Sequence, residues 1–85
     1  MKSIIVDVRE PHEYAKSHVD GAVNIPVGHF AGGIPEELEY LPKDQPIIVY
    51  CRSGQRASGA KTILEQYGFT NVANGINETE TQDLV

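Results

Sequence analysis

The chain has 85 residues, 40% hydrophobic and 22% charged, with a net charge of −5. That is the make-up of an ordinary folded chain, and at this length only a little more than ~60% of the unfolded surface is buried, enough for one domain over residues 1–85. Seven basic residues against twelve acidic ones argue against nucleic acid as a general partner. A single cysteine rules out an internal disulfide framework and a cysteine-rich zinc site, and no apolar run approaches the ~18 residues of a membrane span. No metal or cofactor is called for.

In chain order, Ile4-Ile5-Val6-Asp7-Val8 is a short apolar, β-branched run that stops at charged residues, the pattern of a buried strand. Pro11 suits the first turn of a helix over His12 to His18, ended by Gly21. Ala22 to Pro26 reads as a second strand, Gly28 to Gly33 as a loop, and Pro35 to Leu41 as a helix closed by Pro42. Ile47-Ile48-Val49-Tyr50 is the most apolar strand. From Gln55 to Tyr67 the apolar residues Ala57, Ala60, Ile63, Leu64 and Tyr67 recur at helical spacing up to Gly68. Thr70 to Ala73 reads as a last edge strand, and the polar stretch Glu78 to Val85 gives no firm assignment. Alternating strands and helices imply an α/β fold, a small and mainly parallel sheet flanked by helices, whose ligands bind outside the carboxyl ends of the strands.

Cys51 stands at one of those ends. In Cys51-Arg52-Ser53-Gly54-Gln55-Arg56 a thiol leaves a buried strand, the chain turns through Gly54, and a helix begins with its free N–H groups toward the sulfur. The helix dipole, worth ~0.3–1 kcal/mol and up to ~2 when partly buried, lowers a thiol pKa by only ~0.2–1.5 units. Arg52 and Arg56 are therefore expected to add positive potential and leave Cys51 largely thiolate at pH 7. A free cysteine is most often inert core, an arginine most often solvated charge and a glycine an ordinary turn. Their coincidence within six residues favours chemistry.

At these residues the chain resembles the rhodanese family. Asp7-Val8-Arg9-Glu10-Pro11-His12-Glu13-Tyr14 looks like that family's opening strand and turn, His18-Val19-Asp20-Gly21-Ala22-Val23-Asn24-Ile25-Pro26 like its second, and Val49-Tyr50-Cys51-Arg52-Ser53-Gly54-Gln55-Arg56-Ala57 like its active-site loop. The size is similar to that of short one-domain sulfurtransferases of the phage-shock protein E type, some of which are exported. The resemblance implies that Cys51 takes a sulfane sulfur from thiosulfate or a persulfide donor and passes it to a thiol or cyanide acceptor. Backbone N–H groups from Arg52 through Ser53, Gly54 and Gln55 to Arg56 would cradle the persulfide. Arg52 would hold an anionic donor and Arg56 would brace the loop, with Asp7 as its expected partner. Asp7 and Arg9 are expected to be supporting residues: Asp7 caps a turn, Arg9 pairs with a surface carboxylate. His18 would fix the turn before Gly21, while His12 and His29 are simply exposed. Where the family usually shows a Gly-Gly pair and then a Trp, this chain has Asn74-Gly75-Ile76-Asn77 and no Trp. The family's usual strand and helix before the Asp-Val-Arg turn are also absent.

The partners implied are a small-molecule or protein sulfur donor and a thiol acceptor, with no nucleic acid and no membrane. The expected location is the cytoplasm, or the periplasm if a leader was removed. One alternative is a non-catalytic or redox-sensing module on the same fold. A cysteine phosphatase or arsenate reductase fits less well, because four residues separate Cys51 from Arg56 where phosphatase loops typically have five.

Overall fold

The computed structural model describes all 85 residues, Met1 to Val85. Four strands, β1 (Ile4–Asp7), β2 (Val23–Asn24), β3 (Ile47–Tyr50) and β4 (Val72–Ile76), form one sheet in the order β2-β1-β3-β4. Every pairing is parallel. Four helices, α1 (Pro11–Lys16), α2 (Glu36–Glu39), α3 (Gln55–Gln66) and α4 (Glu78–Leu84), connect and flank the strands, with a 3-10 turn at Val27–Phe30. No helix is long and apolar enough to cross a membrane.

Strand alternation divides the core. On one face Val6, Val8, Ile47, Val49 and Cys51 join Ala57, Ala60 and Leu64 of α3 in the main cluster. The small Ala57 and Ala60, three residues apart, let α3 lie close on the strands. On the other face Ile5 and Tyr50 meet Val19 and Ala22, with Tyr14 of α1 packed against them. The chain leaves β1 toward β2 and then returns to place β3 on the opposite side of β1, so the order reverses between β1 and β3. The carboxyl ends of those two strands, carrying Asp7-Val8-Arg9 and Cys51, flank that crevice, the place where open α/β sheets bind ligands.

Several boundaries differ from the sequence expectation. The second strand contracts to Val23–Asn24, with Ile25 N–H still bonded to Asp7 O at 3.0 Å before Pro26 withdraws its donor. The first helix stops at Lys16, where Ser17 turns extended, and the second keeps only one turn behind Pro35. A stretch expected to be loop includes the 3-10 turn that buries Phe30. The last strand runs to Ile76 rather than ending at Ala73, and its register with β3 shifts between Val49 and Tyr50. Asn74 and Gly75 are poor strand formers, but the Asn74 side chain takes the Ile76 N–H at 2.9 Å and carries the chain through the bulge. The unassigned C-terminal stretch is α4, capped by Asn77, whose Oδ1 accepts from Glu80 N–H at 2.8 Å.

Gly75 and Gly59 contrast two roles of glycine. A methyl group on Gly75 would collide with the Thr81 hydroxyl of α4 and come within 3.0 Å of Ile48 Cγ2, whereas one on Gly59, in mid-α3, meets nothing within 4 Å. Gly75→Ala should therefore lower unfolding free energy by about 1–3 kcal/mol through overpacking. Gly59→Ala should raise it by about 0.5–1 kcal/mol by improving helix propensity. Urea denaturation of both variants checks the opposite signs.

Candidate active site

Strand β3 is buried at every position and delivers Cys51, 1% exposed, to the head of α3. Gly54 is the N-cap of that helix with φ +89° and ψ −7°, the left-handed conformation that disfavours any side chain. That turn lets the chain double back within three residues, so Gly54 N–H donates to Cys51 Sγ at 3.1 Å. Burial alone pushes the thiol pKa up, but the backbone N–H groups of Ala57, Ser53, Gly54 and Arg56 favour the thiolate and outweigh it, holding Cys51 below its ordinary value. The sequence reading placed much of this effect on two guanidinium groups. Its largest contributions come from backbone N–H groups of the loop and of the first turn of α3.

Arg56 departs from expectation in its partner. Its guanidinium donates to the Glu13 carboxylate of α1 at 2.8 and 3.1 Å, not to Asp7. Strand alternation explains why. Asp7 pairs in register with Tyr50 and shares its face of the sheet, opposite the face that carries Val49 and Cys51. Glu13 comes from the first turn of α1, where Oε1 also accepts Glu10 N–H at 2.9 Å. Arg56, first, and the Glu10 N–H, second, hold the Glu13 carboxyl down to about 2. In return Glu13, and after it the Cys51 thiolate, raise Arg56. A carboxylate, a guanidinium and the sulfur thus form one chain of charge from α1 to the loop.

Asp7 and Arg9 make a buried pair, 0% and 7% exposed. Asp7 accepts from Arg9 N–H and Nε at 2.9 Å through Oδ1, and from Nε at 3.0 Å and Nη2 at 2.6 Å through Oδ2. Asp7 does cap its turn as expected, but Arg9 takes this buried partner in place of a surface one; only a longer approach to Glu78, 4.0 Å, lies near the surface. Nη2 also donates to Ser17 O at 2.7 Å. His18 bonds Tyr14 O through Nδ1 at 2.8 Å and stacks on the Tyr14 ring, which ties it to α1 rather than to the turn at Gly21. Tyr50, pushed up to about 12 chiefly by burial, accepts Val19 N–H at 3.0 Å. Arg52, Ser53 and Gln55 are exposed around the loop.

The segment with the unusual Asn74-Gly75-Ile76 turns out to buttress the site. Asn74 Nδ2 donates to Gly54 O at 2.9 Å, and Ile76 O accepts Cys51 N–H at 3.1 Å. Ile76 does so with φ +74°, an outlier for a β-branched residue. Sequence reasoning missed Glu13 as Arg56's partner and missed this clamp; the signal available was strand alternation for Asp7, and the amide of Asn74 beside a glycine.

A model of the rhodanese-like domain matches residues 1–78. The chain belongs to the rhodanese family. It is 37% identical over 73 residues to the thiosulfate sulfurtransferase PspE of Escherichia coli K12, covering 81% of this chain and 64% of that protein. A sulfurtransferase of Allochromatium vinosum is 37% identical over 71 residues, covering 84% and 63%. The chain therefore spans less than two thirds of these curated relatives. Among solved structures, a rhodanese with anions from E. coli superposes with a TM-score of 0.75 at 31% identity, covering 93% of this chain and 91% of the other. The chain has sulfurtransferase relatives, and its own strand-loop-helix around Cys51 has Glu13 and Asn74 as local supports.

Two outcomes follow. The rate of Cys51 alkylation by iodoacetamide should inflect below the ordinary thiol range of about 8.5. Gly54→Ala should shift that inflection upward, because an alanine at φ +89° strains the turn that aims the N–H groups. The Glu13–Arg56 pair should show in acid. Because the folded pKa lies below the unfolded one, its contribution to stability is present above about pH 4.5 and is lost as pH falls through about 2. Thermal melts of wild type and Glu13→Gln across that window should differ in slope, the variant being flatter.

Proposed function

We propose that this chain is a sulfurtransferase that carries a sulfane sulfur on Cys51 as a persulfide. The observation that carries the reading is the Cys51 sulfur seated against the Gly54 N–H at the head of α3, with its pKa lowered by backbone donors. The thiolate would attack the outer sulfur of thiosulfate, breaking its S–S bond and releasing sulfite, or attack the outer sulfur of a persulfide and release a thiolate. An acceptor thiolate or cyanide would then attack the outer sulfur on Cys51, and the Cys51 thiolate leaves. The chemistry is covalent catalysis, and a pre-ionised nucleophile requires no general base.

The N–H groups from Arg52 to Arg56 would serve the outer sulfur as an oxyanion hole serves oxygen, stabilising negative charge without reorganisation. Arg52, exposed beside the thiol, would meet an anionic donor. Arg56, held by Glu13, would keep the helix start and its positive charge behind the sulfur. PspE is named a thiosulfate sulfurtransferase, which supports thiosulfate as one donor, and a relative in Bacillus subtilis named a putative sulfur carrier protein, 36% identical over 70 residues, supports a thiol or protein acceptor.

Intact mass spectrometry after incubation with thiosulfate, or with a low-molecular-mass persulfide, should show the gain of one sulfur atom in wild type and none in Cys51→Ser, which should keep the same fold. Sulfur gain that survives in Cys51→Ser would overturn the assignment. So would absence of gain with every donor together with hydrolysis of an aryl phosphate through Cys51, which would make the loop a phosphatase loop.

A further inference from the structure

Beside the Cys51 loop opens a cleft of about 400 Å³ with no hydrophobic residue in its lining, formed by Arg9, His12, Glu13, Lys16, Ser17 and Arg52. Three cationic side chains face one carboxylate there, in a chain whose net charge is −5. Two of the four charges are already spent on partners. Arg9 is neutralised by buried Asp7, and Glu13 is bonded to Arg56. Ser17 Oγ on the rim donates to Glu78 at 2.9 Å, and that carboxylate also lies 4.0 Å from Arg9. Lys16, Arg52 and the His12 ring make no hydrogen bond or ion pair with the protein. What the cleft offers a ligand is therefore two unengaged cations and an imidazole, in a lining that also includes Glu13 with its partner Arg56.

Size sets the ligand class. A cleft of this volume falls in the ~300–1,000 Å³ range of sites for molecules of drug-like size, so a compact sulfur oxyanion of a few heavy atoms would leave most of it empty. A site whose only free charges are positive favours a molecule with a second anionic group set several bonds away from its sulfur. We propose that the cleft is a carboxylate subsite, in which Lys16 and Arg52, with His12 beside them, hold the remote carboxylate of a small thiol or its persulfide while its sulfur meets Cys51. The identity of the exchanged atom rests on the sulfur-transfer reading; the carboxylate site does not. In the discharge step the bound thiolate attacks the outer sulfur of the Cys51 persulfide, the S–S bond to Cys51 breaks, and the Cys51 thiolate departs as the new persulfide forms.

Two measurements test this at low ionic strength, where exposed charges are least screened. In the first, S-methylglutathione, which has the carboxylates and no reactive thiol, is titrated into ¹⁵N-labelled protein. Amide shifts should cluster at His12, Lys16 and Arg52 with roughly millimolar affinity, persist in Cys51→Ser, and be lost in Lys16→Glu. In the second, the Cys51 persulfide is discharged by glutathione or by its diethyl ester, which lacks both carboxylates. Wild type should favour the free acid by about two- to five-fold, and Lys16→Glu should bring the ratio to one or below. Shifts elsewhere, shifts indifferent to Lys16→Glu, or equal rates for acid and ester in wild type would overturn the subsite. Specific shifts at the cleft with no sulfur moved through Cys51 would uphold the subsite and overturn the transfer reading instead.

Discussion

A sulfur 1% exposed at the end of a buried strand is a poor place for negative charge, because removing an ion from water costs several kcal/mol unless donors replace the water. Everything around Cys51 answers that constraint. The left-handed Gly54 aims an N–H at the sulfur, α3 begins at once behind it, and the small Ala57 and Ala60 allow the helix to sit close to the strand that carries the thiol. The guanidinium that faces the sulfur is anchored from a different element, by Glu13 of α1. The peptide link of the cysteine itself is tied to Ile76 of the last strand. Elements distant in sequence thus converge on one residue: the loop and α3 supply donors to its sulfur, while α1 and β4 hold the loop's arginine and the cysteine's own peptide in place.

The electrostatics are local in the same sense. A net charge of −5 would repel an anionic donor at long range, where salt screens the field beyond a Debye length of about 10 Å at 0.1 M, yet the cleft beside the loop is lined by the free cations Arg52 and Lys16. Sulfur donors and acceptors arriving as anions would meet the unfavourable field only at a distance where salt screens it.

Much of the fold was legible because its signals were redundant. The Ile47–Tyr50 strand announced itself by four apolar residues, and Gln55–Gln66 by the spacing of Ala57, Ala60 and Leu64 between two glycines. The loop geometry was legible for the same reason, since Cys51, Gly54 and the helix start are contiguous. What escaped was carried by pairs far apart in the chain. Nothing near Arg56 names Glu13, 43 residues away, and the strand extension through Asn74 and Gly75 depends on one amide side chain bonding the turn across from it. Asp7 was assigned to the wrong partner although its strand position, one step out of phase with Val6 and Val8, already put it on the far face of the sheet.

Helix α3 begins without a capping side chain. Helix starts usually gain about 0.5–2 kcal/mol from a Ser, Thr, Asp or Asn that accepts their free N–H groups, and introducing one is a standard thermostabilising change. Here the residue at that position must be glycine for its backbone, and any oxygen placed there would compete with the sulfur for the same donors. Robustness and reactivity draw on one small set of peptide hydrogens. A laboratory or natural lineage that improved the helix by capping it would be expected to harden the fold and quiet the thiol together, so the weakness at the head of α3 is best regarded as the feature selection has reason to keep.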